Sequence, residues 1–548
     1  MARTLRYSLI AAALYAGSAT AMTNDQLQHV LEQRLRGDRT GACVAAAVIE
    51  GKQVARARVC ADPADDRRID EHSAFEIGSV SKTMTAALLA QLIEQGKASL
   101  DDPLSSWLPS GTNVPDFNGQ PILLRHIVTH TSGLPGLPPR MQIRHPDNPY
   151  ADLDESTVLT SLADVKLNAV PGTHFEYSNF AMMVLSDAVA RRYGKDMDSL
   201  LRQHLFEPLG MRSAYLDKAP DGVKAAAGHL PNGKTTAAWT IPTNLAGVGG
   251  VHATLDDMVR YVQGELGLLD TPLTPALKLT QQPVSQSSGK AMGMNWMLVP
   301  HQSPHSLVIH GGGTGGFSSF VGFDPDKQRG VVLLSDTALN SMDGLGKGLG
   351  MHLLDPAEPL GSPRKPATPT DALLDGLAGE YVFANGMHIS LRHRHSGLTA
   401  QVPGQPEFEM GYDSAGDFYP LQLDALLHPQ RDAKGRYSFV WTQGGGAFSA
   451  ERVDSSKSVA SLAPNSTQLQ AYTGDYSLAP GFVISITSDG HQLYAQATGQ
   501  PRVVLKAVAA DTFKFEVVAA EIDFERKENK VVALTLVQNG VRHHAEKH

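Results

Sequence analysis

The stretch FEIGSVSKTMTAALLAQLIEQG, residues 75–96, is a long helix pattern with a serine and a lysine at its entrance. After Ser79 the apolar residues recur at the spacing of one helix face: Met84, Leu88, Leu89, Leu92 and Ile93. A helix that begins here places Ser79 and Lys82 one turn apart on the same face, at the positive end of the helix dipole. A lysine beside a hydroxyl at a partly buried site can have its pKa lowered enough to accept the serine proton. The alternative is a helix-capping serine beside a solvated lysine.

The spacing Ser-any-any-Lys is weak evidence by itself because it occurs three times in this chain. The other two copies are Ser287 to Lys290 and Ser362 to Lys365, and they lie in Gly/Ser-rich and Pro-rich stretches. Only the copy at Ser79 enters a helix pattern, so this copy is the candidate nucleophile site.

A second helix entrance lies in HFEYSNFAMMVLSDAVA, where Tyr177, Ser178 and Asn179 precede an apolar helix pattern. A phenol and a carboxamide two residues apart can supply a proton shuttle and a hydrogen bond to a substrate. The alternative is an ordinary capped helix.

A glycine-rich strand pattern, LVIHGGGTGGFSSFVGFDP, carries His310 followed by Gly311, Gly312 and Gly313. Glycine is accepted in a strand where another backbone approaches closely. Such a strand could line a cleft and bind a substrate main chain as an added strand. The alternative is a glycine-rich hairpin.

The composition is that of an ordinary globular protein, with 548 residues, 42% hydrophobic and 19% charged. Residues 1–21 combine Arg3 and Arg6 with an apolar run that ends in Ala-Thr-Ala, which predicts a signal peptide cleaved after Ala21 and a periplasmic or secreted protein. The alternative, a membrane anchor, needs about 20 apolar residues, and we expect no membrane span. Cleavage lowers the net charge from −9 to −11, which does not favour nucleic acid as a partner.

The two cysteines, Cys43 and Cys60, flank a predicted hairpin. If Gly51-Lys52 is a two-residue turn, the cysteines oppose each other at a non-hydrogen-bonded position, where a disulfide can form. An exported protein could oxidise this pair. The alternative is two separately buried thiols.

Residues 355–372 contain five prolines and are predicted to be a linker. After it the chain repeats: LTAQVPGQP at 398–406 returns as LYAQATGQP at 493–501, and the same offset of 95 relates other residues, namely Gly379-Glu380-Tyr381 to Gly474-Asp475-Tyr476, Gly386 to Gly481 and Phe418 to Phe513. Each copy suits a small antiparallel barrel or sandwich, and we assign the copies to residues 373–460 and 461–548. Neither copy shows a nucleophile or metal constellation, and its histidines are interpreted as solvated surface.

Taken together and in this order, Ser79-Val80-Ser81-Lys82, Tyr177-Ser178-Asn179 and His310-Gly311-Gly312 resemble the three signature elements of the serine β-lactamase and penicillin-binding-protein superfamily. The class C β-lactamase, D-aminopeptidase and esterase branch is the most similar. The resemblance covers about residues 25–354 and includes the phrases LDDPLSSWLP, LLRHIVTHTSGLP and GVGGVHATLDDMVRYV.

The resemblance implies an α/β (α+β) β-lactamase-like transpeptidase fold, with an antiparallel sheet flanked by helices and a helical subdomain, over residues 22–354. The D-aminopeptidase of this branch is similar in having two small antiparallel β-barrel (lipocalin-like) domains after the catalytic domain. One of its barrels reaches into the active site, and no such loop is identified in this sequence.

The resemblance also implies a role for each site residue. Ser79 is expected to be the acylated nucleophile, Lys82 and Tyr177 to share general base and acid work, and Asn179 to hold Lys82 and the substrate amide. His310, Gly311 and Gly312 are expected to bind substrate, and the backbone amides of Ser79 and Gly313 to form the oxyanion hole. No metal or organic cofactor is expected.

The chain departs from typical β-lactamases of this superfamily at His310, where they carry lysine. A histidine with a reference pKa near 6.5 is mostly neutral at pH 7, so a substrate carboxylate is bound less strongly. The function we predict is an exported serine hydrolase acting on small amides or peptides with a D-residue, including peptidoglycan-derived ones. The alternatives are a carboxylesterase, a β-lactamase, or a penicillin-binding receptor that is acylated without turnover.

Overall fold

The structure is a computed structural model that describes residues 21–287, 289–301, 305–395, 397–444, 446–453, 466–479, 482–500, 502–509, 511–515, 520–527, 530–538 and 541–548. The predicted signal peptide, apart from Ala21, lies outside the described residues. Two compact units are present. The first comprises the chain up to Ala367 together with Tyr412–Leu426 and Thr442–Gly446, and the second comprises Thr368–Gly411, Leu427–Trp441 and Ala447–His548.

Short and long helices alternate with strands in the part of the chain before the predicted linker. The helices are α1 Asn24–Leu35, α2 Ser81–Glu94, α3 Leu124–Val128, α4 Glu155–Ser161, α5 Asn179–Tyr193, α6 Met197–Leu201, α7 Glu207–Leu209, α8 Leu255–Glu265, α9 Thr274–Thr280 and α10 Met351–Leu354. The strands are β1 Cys43–Glu50, β2 Gln53–Cys60, β3 Ser73–Glu76, β4 Asp116–Phe117, β5 Gln120–Pro121, β6 Lys224–Ala225, β7 Gly228–His229, β8 Thr235–Thr236, β9 His252–Ala253, β10 Ser285–Ser287, β11 Lys290–Met292, β12 Met297–Val299, β13 Leu307–Gly313, β14 Ser318–Asp324 and β15 Arg329–Ser335.

An eight-stranded sheet forms the centre of this part, in the order β10-β11-β12-β13-β14-β15-β1-β2, and its neighbouring strands pair antiparallel. Alternate residues of β1 face opposite cores. Cys43, Ala45, Ala47 and Ile49 pack in the core that contains α2 and α5, whereas Val44, Ala46 and Val48 pack in the core that contains α1 and α10. Because both faces are covered by helices, β1 is a continuous apolar run rather than an alternating one.

Helix α2 is buried on all sides from Ser81 to Leu92, which matches its lack of a polar face. Helix α5 begins where the Ser178 hydroxyl accepts the backbone N–H of Ala181 at 2.9 Å. It ends at Gly194, whose φ of 69° suits a left-handed helix cap. Residues 124–209, all of which the structure describes, contain α3 to α7 and no strand, so this region is the helical subdomain.

The cysteines lie opposite each other at the end of the β1–β2 hairpin. The register pairs Cys43 with Cys60, and the two sulfur atoms form a disulfide. The turn contains Gly51, whose φ of 57° lies in the left-handed region that a tight hairpin requires.

The segment predicted to be a linker is partly fixed in the first unit. The backbone N–H of Arg364 donates to Asp38 Oδ2 at 2.8 Å, and the Arg364 carbonyl accepts the N–H of Arg39 at 2.8 Å. The guanidinium of Arg364 also binds Asp413 and Asp417. Residues 355–370 form no helix or strand, whereas a helix begins at Asp371, inside the predicted linker. The contacts of Arg364 show that this stretch is not a free spacer.

The remaining strands form two closed eight-stranded barrels, as the repeat predicted. The first contains β16 Gly379–Phe383, β17 His388–Arg394, β18 Gly397–Gln401, β19 Phe408–Tyr412, β20 Phe418–Pro420, β21 Ala425–Arg431, β22 Tyr437–Gln443 and β23 Gly446–Arg452, after helix α11 Asp371–Leu377. The second contains β24 Gly474–Ala479, β25 Phe482–Ser488, β26 Leu493–Ala497, β27 Val503–Ala509, β28 Thr512–Phe515, β29 Ala520–Lys527, β30 Lys530–Gln538 and β31 Val541–Lys547, after α12 Ser466–Tyr472.

The same hydrogen bond joins the helix that precedes each barrel to the first strand of that barrel. In the first, the buried Tyr381 hydroxyl donates to the Leu377 carbonyl at 2.9 Å. In the second, the buried Tyr476 hydroxyl donates to the Tyr472 carbonyl at 2.7 Å. Both pairs are related by the offset of 95, so the sequence repeat is also a structural repeat.

Candidate active site

Ser79 lies in a 3₁₀ turn, Gly78–Val80, which runs directly into α2. The helix proper begins at Ser81, two residues later than the sequence pattern suggested. The turn nevertheless keeps Ser79 and Lys82 adjacent because a 3₁₀ turn also brings residues three apart together.

Lys82 is fully buried, and its ammonium nitrogen is held by two oxygens. Nζ donates to Ser79 Oγ at 2.8 Å and to the Val248 carbonyl at 2.8 Å. Burial lowers the pKa of Lys82 to about 7, so a large fraction of the amine is uncharged near neutral pH. This geometry excludes the interpretation of Lys82 as a solvated lysine.

Tyr177 lies just before α5 and approaches the same serine. Its hydroxyl interacts with the Ser79 side chain, and Lys82 Nζ lies 5.0 Å from the centre of its ring. The residue is 40% exposed, but its hydroxyl end is enclosed by protein, and this burial raises the pKa of Tyr177 well above its ordinary value. The phenol is therefore protonated at neutral pH.

His130 supports Tyr177, a role that the sequence analysis did not predict. Its ring lies 4.2 Å from that of Tyr177, and its Nδ1 accepts the backbone N–H of Ser178 at 3.2 Å. Burial lowers the pKa of His130 well below its usual range, so the ring is neutral. The signal available in the sequence was the phrase LLRHIVTHTSGLP, which contains His130. In the structure His130 has a left-handed φ of 54°.

Asn179 is the first residue of α5, and its side chain interacts with the hydroxyl of Tyr150. Its backbone N–H donates to the Gly136 carbonyl at 3.0 Å. The resemblance implied that Asn179 holds Lys82. In the structure the second hydrogen bond of Lys82 goes instead to the Val248 carbonyl, a backbone group that no side-chain motif could indicate.

His310 lies on β13 with only 3% of its surface exposed. Its Nδ1–H donates to the Gly311 carbonyl at 2.7 Å. Burial, with a smaller contribution from the charge of Lys82, lowers the pKa of His310 to about 4. The imidazole ring is thus neutral at pH 7. It does not supply the positive charge that a lysine at this position would supply.

Two glycines allow β13 to approach the serine turn. A Cβ on Gly312 would overlap the Ile77 carbonyl, and a Cβ on Gly78 would lie 2.6 Å from the Gly313 backbone nitrogen. Gly311 has room, since its nearest such neighbour is the Ser319 carbonyl oxygen at 3.9 Å. The close approach brings the backbones of Ser79 and Gly313 to the same end of β13, where two N–H groups could stabilise one oxyanion.

The structure brings Lys82 and Tyr177 to Ser79, and it places His310 where the charge of Lys82 acts on it. The contacts of Asn179 described above go to Tyr150 and Gly136 instead. The Cys43–Cys60 disulfide makes none of these contacts. In the part of the chain that the structure describes, no group of three or more His, Cys, Asp or Glu side chains is placed to hold a metal ion. Within the same residues, no helix is both long and apolar enough to cross a membrane.

Comparisons with known proteins show what the chain is similar to. The family described as Beta-lactamase matches residues 27–352, and the family described as Domain of unknown function (DUF3471) matches residues 460–545. The chain is 31% identical over 326 residues to D-alanyl-D-alanine-carboxypeptidase/endopeptidase AmpH of Escherichia coli (strain K12), with 56% of this chain and 82% of the relative covered. It is 27% identical over 371 residues to esterase EstB of Burkholderia gladioli, with 58% and 92% covered.

A solved structure named beta-lactamase/D-alanine carboxypeptidase from Yersinia pestis, complexed with citrate, aligns with a TM-score of 0.49 at 26% identity. The alignment covers 57% of this chain and 92% of that one. The family match extends over more than half of the chain, and AmpH is matched over most of its own length. The chain thus belongs to the beta-lactamase family, within the superfamily of serine β-lactamases and penicillin-binding proteins, and it is a serine hydrolase.

Proposed function

We propose that Ser79 is the nucleophile of an acyl-transfer hydrolase and that Lys82 is the base that activates it. The observation that carries this proposal is the 2.8 Å contact of a fully buried Lys82 amine with Ser79 Oγ. An amine with a pKa of about 7 accepts a proton at neutral pH, whereas Tyr177 keeps its proton there.

The reaction follows from these positions. Ser79 Oγ attacks the substrate carbonyl carbon while its proton moves to Lys82 Nζ, and the backbone N–H groups of Ser79 and Gly313 stabilise the oxyanion. The carbon–nitrogen or carbon–oxygen bond then breaks, and the leaving group takes a proton through the Tyr177 hydroxyl. Water attacks the acyl-enzyme in the second half of the reaction and regenerates Ser79.

The substrate class we propose is a peptide or small amide that contains a D-residue, including peptidoglycan-derived peptides. The relative AmpH supports this choice, because it is named a D-alanyl-D-alanine carboxypeptidase and endopeptidase. In this proposal the protein is exported, and Asn179 and the strand from His310 to Gly312 bind the peptide main chain.

A carboxylesterase is the second candidate, and the buried neutral His310 favours it. A substrate carboxylate gains little from an imidazole whose pKa is about 4, whereas a simple ester needs no such partner. The relative named esterase EstB is consistent with this alternative.

The test compares the purified chain from residue 22 to residue 548 on D-alanine p-nitroanilide, L-alanine p-nitroanilide, a peptide ending in D-Ala-D-Ala and a p-nitrophenyl ester. Cleavage of the D-amide or release of D-alanine, with the L-compound untouched, supports the peptidase. Cleavage of the ester alone supports the carboxylesterase instead.

The serine itself is tested by Ser79→Ala, which should abolish every activity and leave the melting temperature nearly unchanged. A variant that kept a tenth of the wild-type rate would remove Ser79 from the nucleophile role. Intact mass after incubation with penicillin tests the remaining alternatives. An adduct that never decays, on a protein that cleaves none of the four substrates, identifies a receptor without turnover. Rapid hydrolysis of penicillin identifies a β-lactamase.

A further inference from the structure

Asp424 lies between β20 and β21 of the first barrel, in the segment Tyr412–Leu426, which belongs to the first compact unit. Its carboxylate accepts the backbone N–H of Ser341 at 3.2 Å and also the Ser341 hydroxyl. The backbone N–H of Asn340 is a further donor to it. These donors begin the 3₁₀ turn Asn340–Met342, so Asp424 caps that turn from a distant part of the chain.

The capped turn presents the Asn340 side chain to the end of β13. A Cβ on Gly313 would overlap the Asn340 amide group, so the two residues are in contact. Asn340 Nδ2 also lies 3.5 Å from the Thr314 carbonyl. Gly313 also lies against the serine turn, because a Cβ on Gly78 would lie 2.6 Å from the Gly313 nitrogen. The Gly313 backbone is therefore in contact with both the serine turn and Asn340.

We propose that Asp424 is a positioning residue for the reaction: it fixes the turn Asn340–Met342, and this turn fixes the Gly313 amide that stabilises the oxyanion. The inference rests on the proposed function, because it assigns a catalytic use to Gly313. In this proposal the segment Tyr412–Leu426 contributes to catalysis through Asp424, which does not itself contact the substrate.

The segment Tyr412–Leu426 makes other contacts within the first unit besides those of Asp424. These contacts allow the positioning role of Asp424 to be tested separately from its part in holding the segment in place. Arg39 binds Asp413 at 2.9 Å and lies 3.5 Å from the ring centre of Tyr419, and both members of the ion pair are buried. Arg364 binds Asp417 as well. Arg39 also contacts the turn, since its guanidinium donates to Met342 Sδ at 3.8 Å. The Arg364–Asp417 pair lies outside the turn Asn340–Met342, so this pair holds the segment without touching the turn.

The experiment compares Asp424→Asn with Asp417→Asn, a matched change in the same segment that does not touch the turn. For each variant of the full chain, kcat and KM are measured on a p-nitrophenyl ester, together with the rate of Ser79 acylation by a fluorescent penicillin and the affinity for phenylboronic acid. The boronate adduct imitates the tetrahedral intermediate, so its affinity reports the oxyanion site.

We expect Asp424→Asn to lower kcat about 10-fold with KM within about twofold, since displacing an oxyanion donor acts on the transition state. Phenylboronic acid affinity should fall in parallel, and Asp417→Asn should keep all three values within about twofold. Ser341→Ala, which removes only the hydroxyl donor, should show the same pattern more weakly and serves if Asp424→Asn does not fold.

Three results would overturn the inference. The first is an unchanged kcat and boronate affinity in Asp424→Asn or, where it does not fold, in Ser341→Ala. The second is an equal loss in Asp424→Asn and Asp417→Asn, and the third is an unchanged rate of Ser79 acylation in Asp424→Asn. A wild-type protein that is not acylated and cleaves neither the ester, the D-amide nor the D-Ala-D-Ala peptide would refute the proposed function itself, and this inference with it. Acylation of the wild type and of Asp424→Asn at equal rates would refute the positioning role alone.

Discussion

Lys82 carries the chemistry of the site because its surroundings change its basicity. An amine in water holds its proton up to a pH near 10, but complete burial brings the pKa of Lys82 to about 7. The two acceptors, Ser79 Oγ and the Val248 carbonyl, fix the position of the amine. Neither acceptor carries a negative charge that would raise its pKa again. A base of this kind is poised for proton transfer at physiological pH.

Replacing this amine should abolish activity without weakening the fold. We expect Lys82→Met to lower kcat at least about 1000-fold. The melting temperature should stay equal or rise, because a buried amine is replaced by an apolar side chain of similar length. Lys365→Met, in another Ser-any-any-Lys copy, is the control and should keep wild-type activity. A Lys82→Met variant with a normal rate would contradict the assignment of the base.

The pH dependence of the wild type should report the same group. Because Lys82 must be unprotonated to accept the serine proton, kcat/KM should rise as the pH increases through about 7 and then level off. His310 titrates at about 4 and should contribute nothing above pH 6. A rate that is constant from pH 5.5 to pH 8 would contradict this prediction.

At the scale of the elements, the site depends on how closely β13 approaches the serine turn. Gly312→Ala should destabilise the protein by about 1–3 kcal/mol and lower kcat, because its Cβ would overlap the Ile77 carbonyl. Gly311→Ala is the matched stability control on the same strand and should leave the free energy of unfolding unchanged, since its Cβ has space. Urea unfolding and ester kinetics measure both effects. Equal behaviour of the two variants would show that the close approach is unimportant.

Helix α8 ends in a buried acid, Glu265, which is 2% exposed and accepts the side-chain amide of Gln281 at 2.7 Å. Burial raises the pKa of Glu265 to about 8, against 4.5 in the unfolded chain. The folded state therefore holds this proton more tightly. The stability that Glu265 provides is complete below pH 4.5 and is lost as the pH rises to about 8.

Glu265→Gln should consequently reduce the fall in melting temperature between pH 5 and pH 8. The amide keeps the size of the side chain but has no proton to lose, so the unfolding free energy should depend less on pH. Melting curves at several pH values for wild type and variant measure this difference. Parallel pH profiles would mean that Glu265 is not the group that titrates.

At the scale of the whole molecule, the disulfide acts through the unfolded chain. Cys43 and Cys60 are separated by 17 residues, and a crosslink of this length is worth about 3 kcal/mol of stability in the chain-entropy description. The double variant Cys43→Ala/Cys60→Ala should lose about that amount in urea unfolding. Its ester kinetics well below the melting temperature should be unchanged, because the disulfide makes no contact with the site cluster.

Much of the architecture could be predicted from local patterns. The offset of 95 residues indicated two equal domains, and two closed barrels are present. The short spacing of Ser79 and Lys82 indicated that these two side chains meet, because both lie at one helix entrance. The Val248 carbonyl, His130 and Asp424 could not be found in this way. Their parts depend on backbone groups and on contacts between residues far apart in sequence, which no short motif encodes.

The tyrosine hydrogen bond that recurs in both barrels shows that one polypeptide contains two similar sets of eight strands. Each strand of the first copy then has a look-alike some 95 residues later, and neighbours of this kind are prone to exchange strands during folding. The copies differ at their first strand: β24 pairs with β25 through a register shift between Ser477 and Ala479, whereas β16 pairs with β17 in even steps. A first-copy strand paired in place of β24 would have its side chains out of step beyond this shift, so we expect the bulge to disfavour the exchange of this strand.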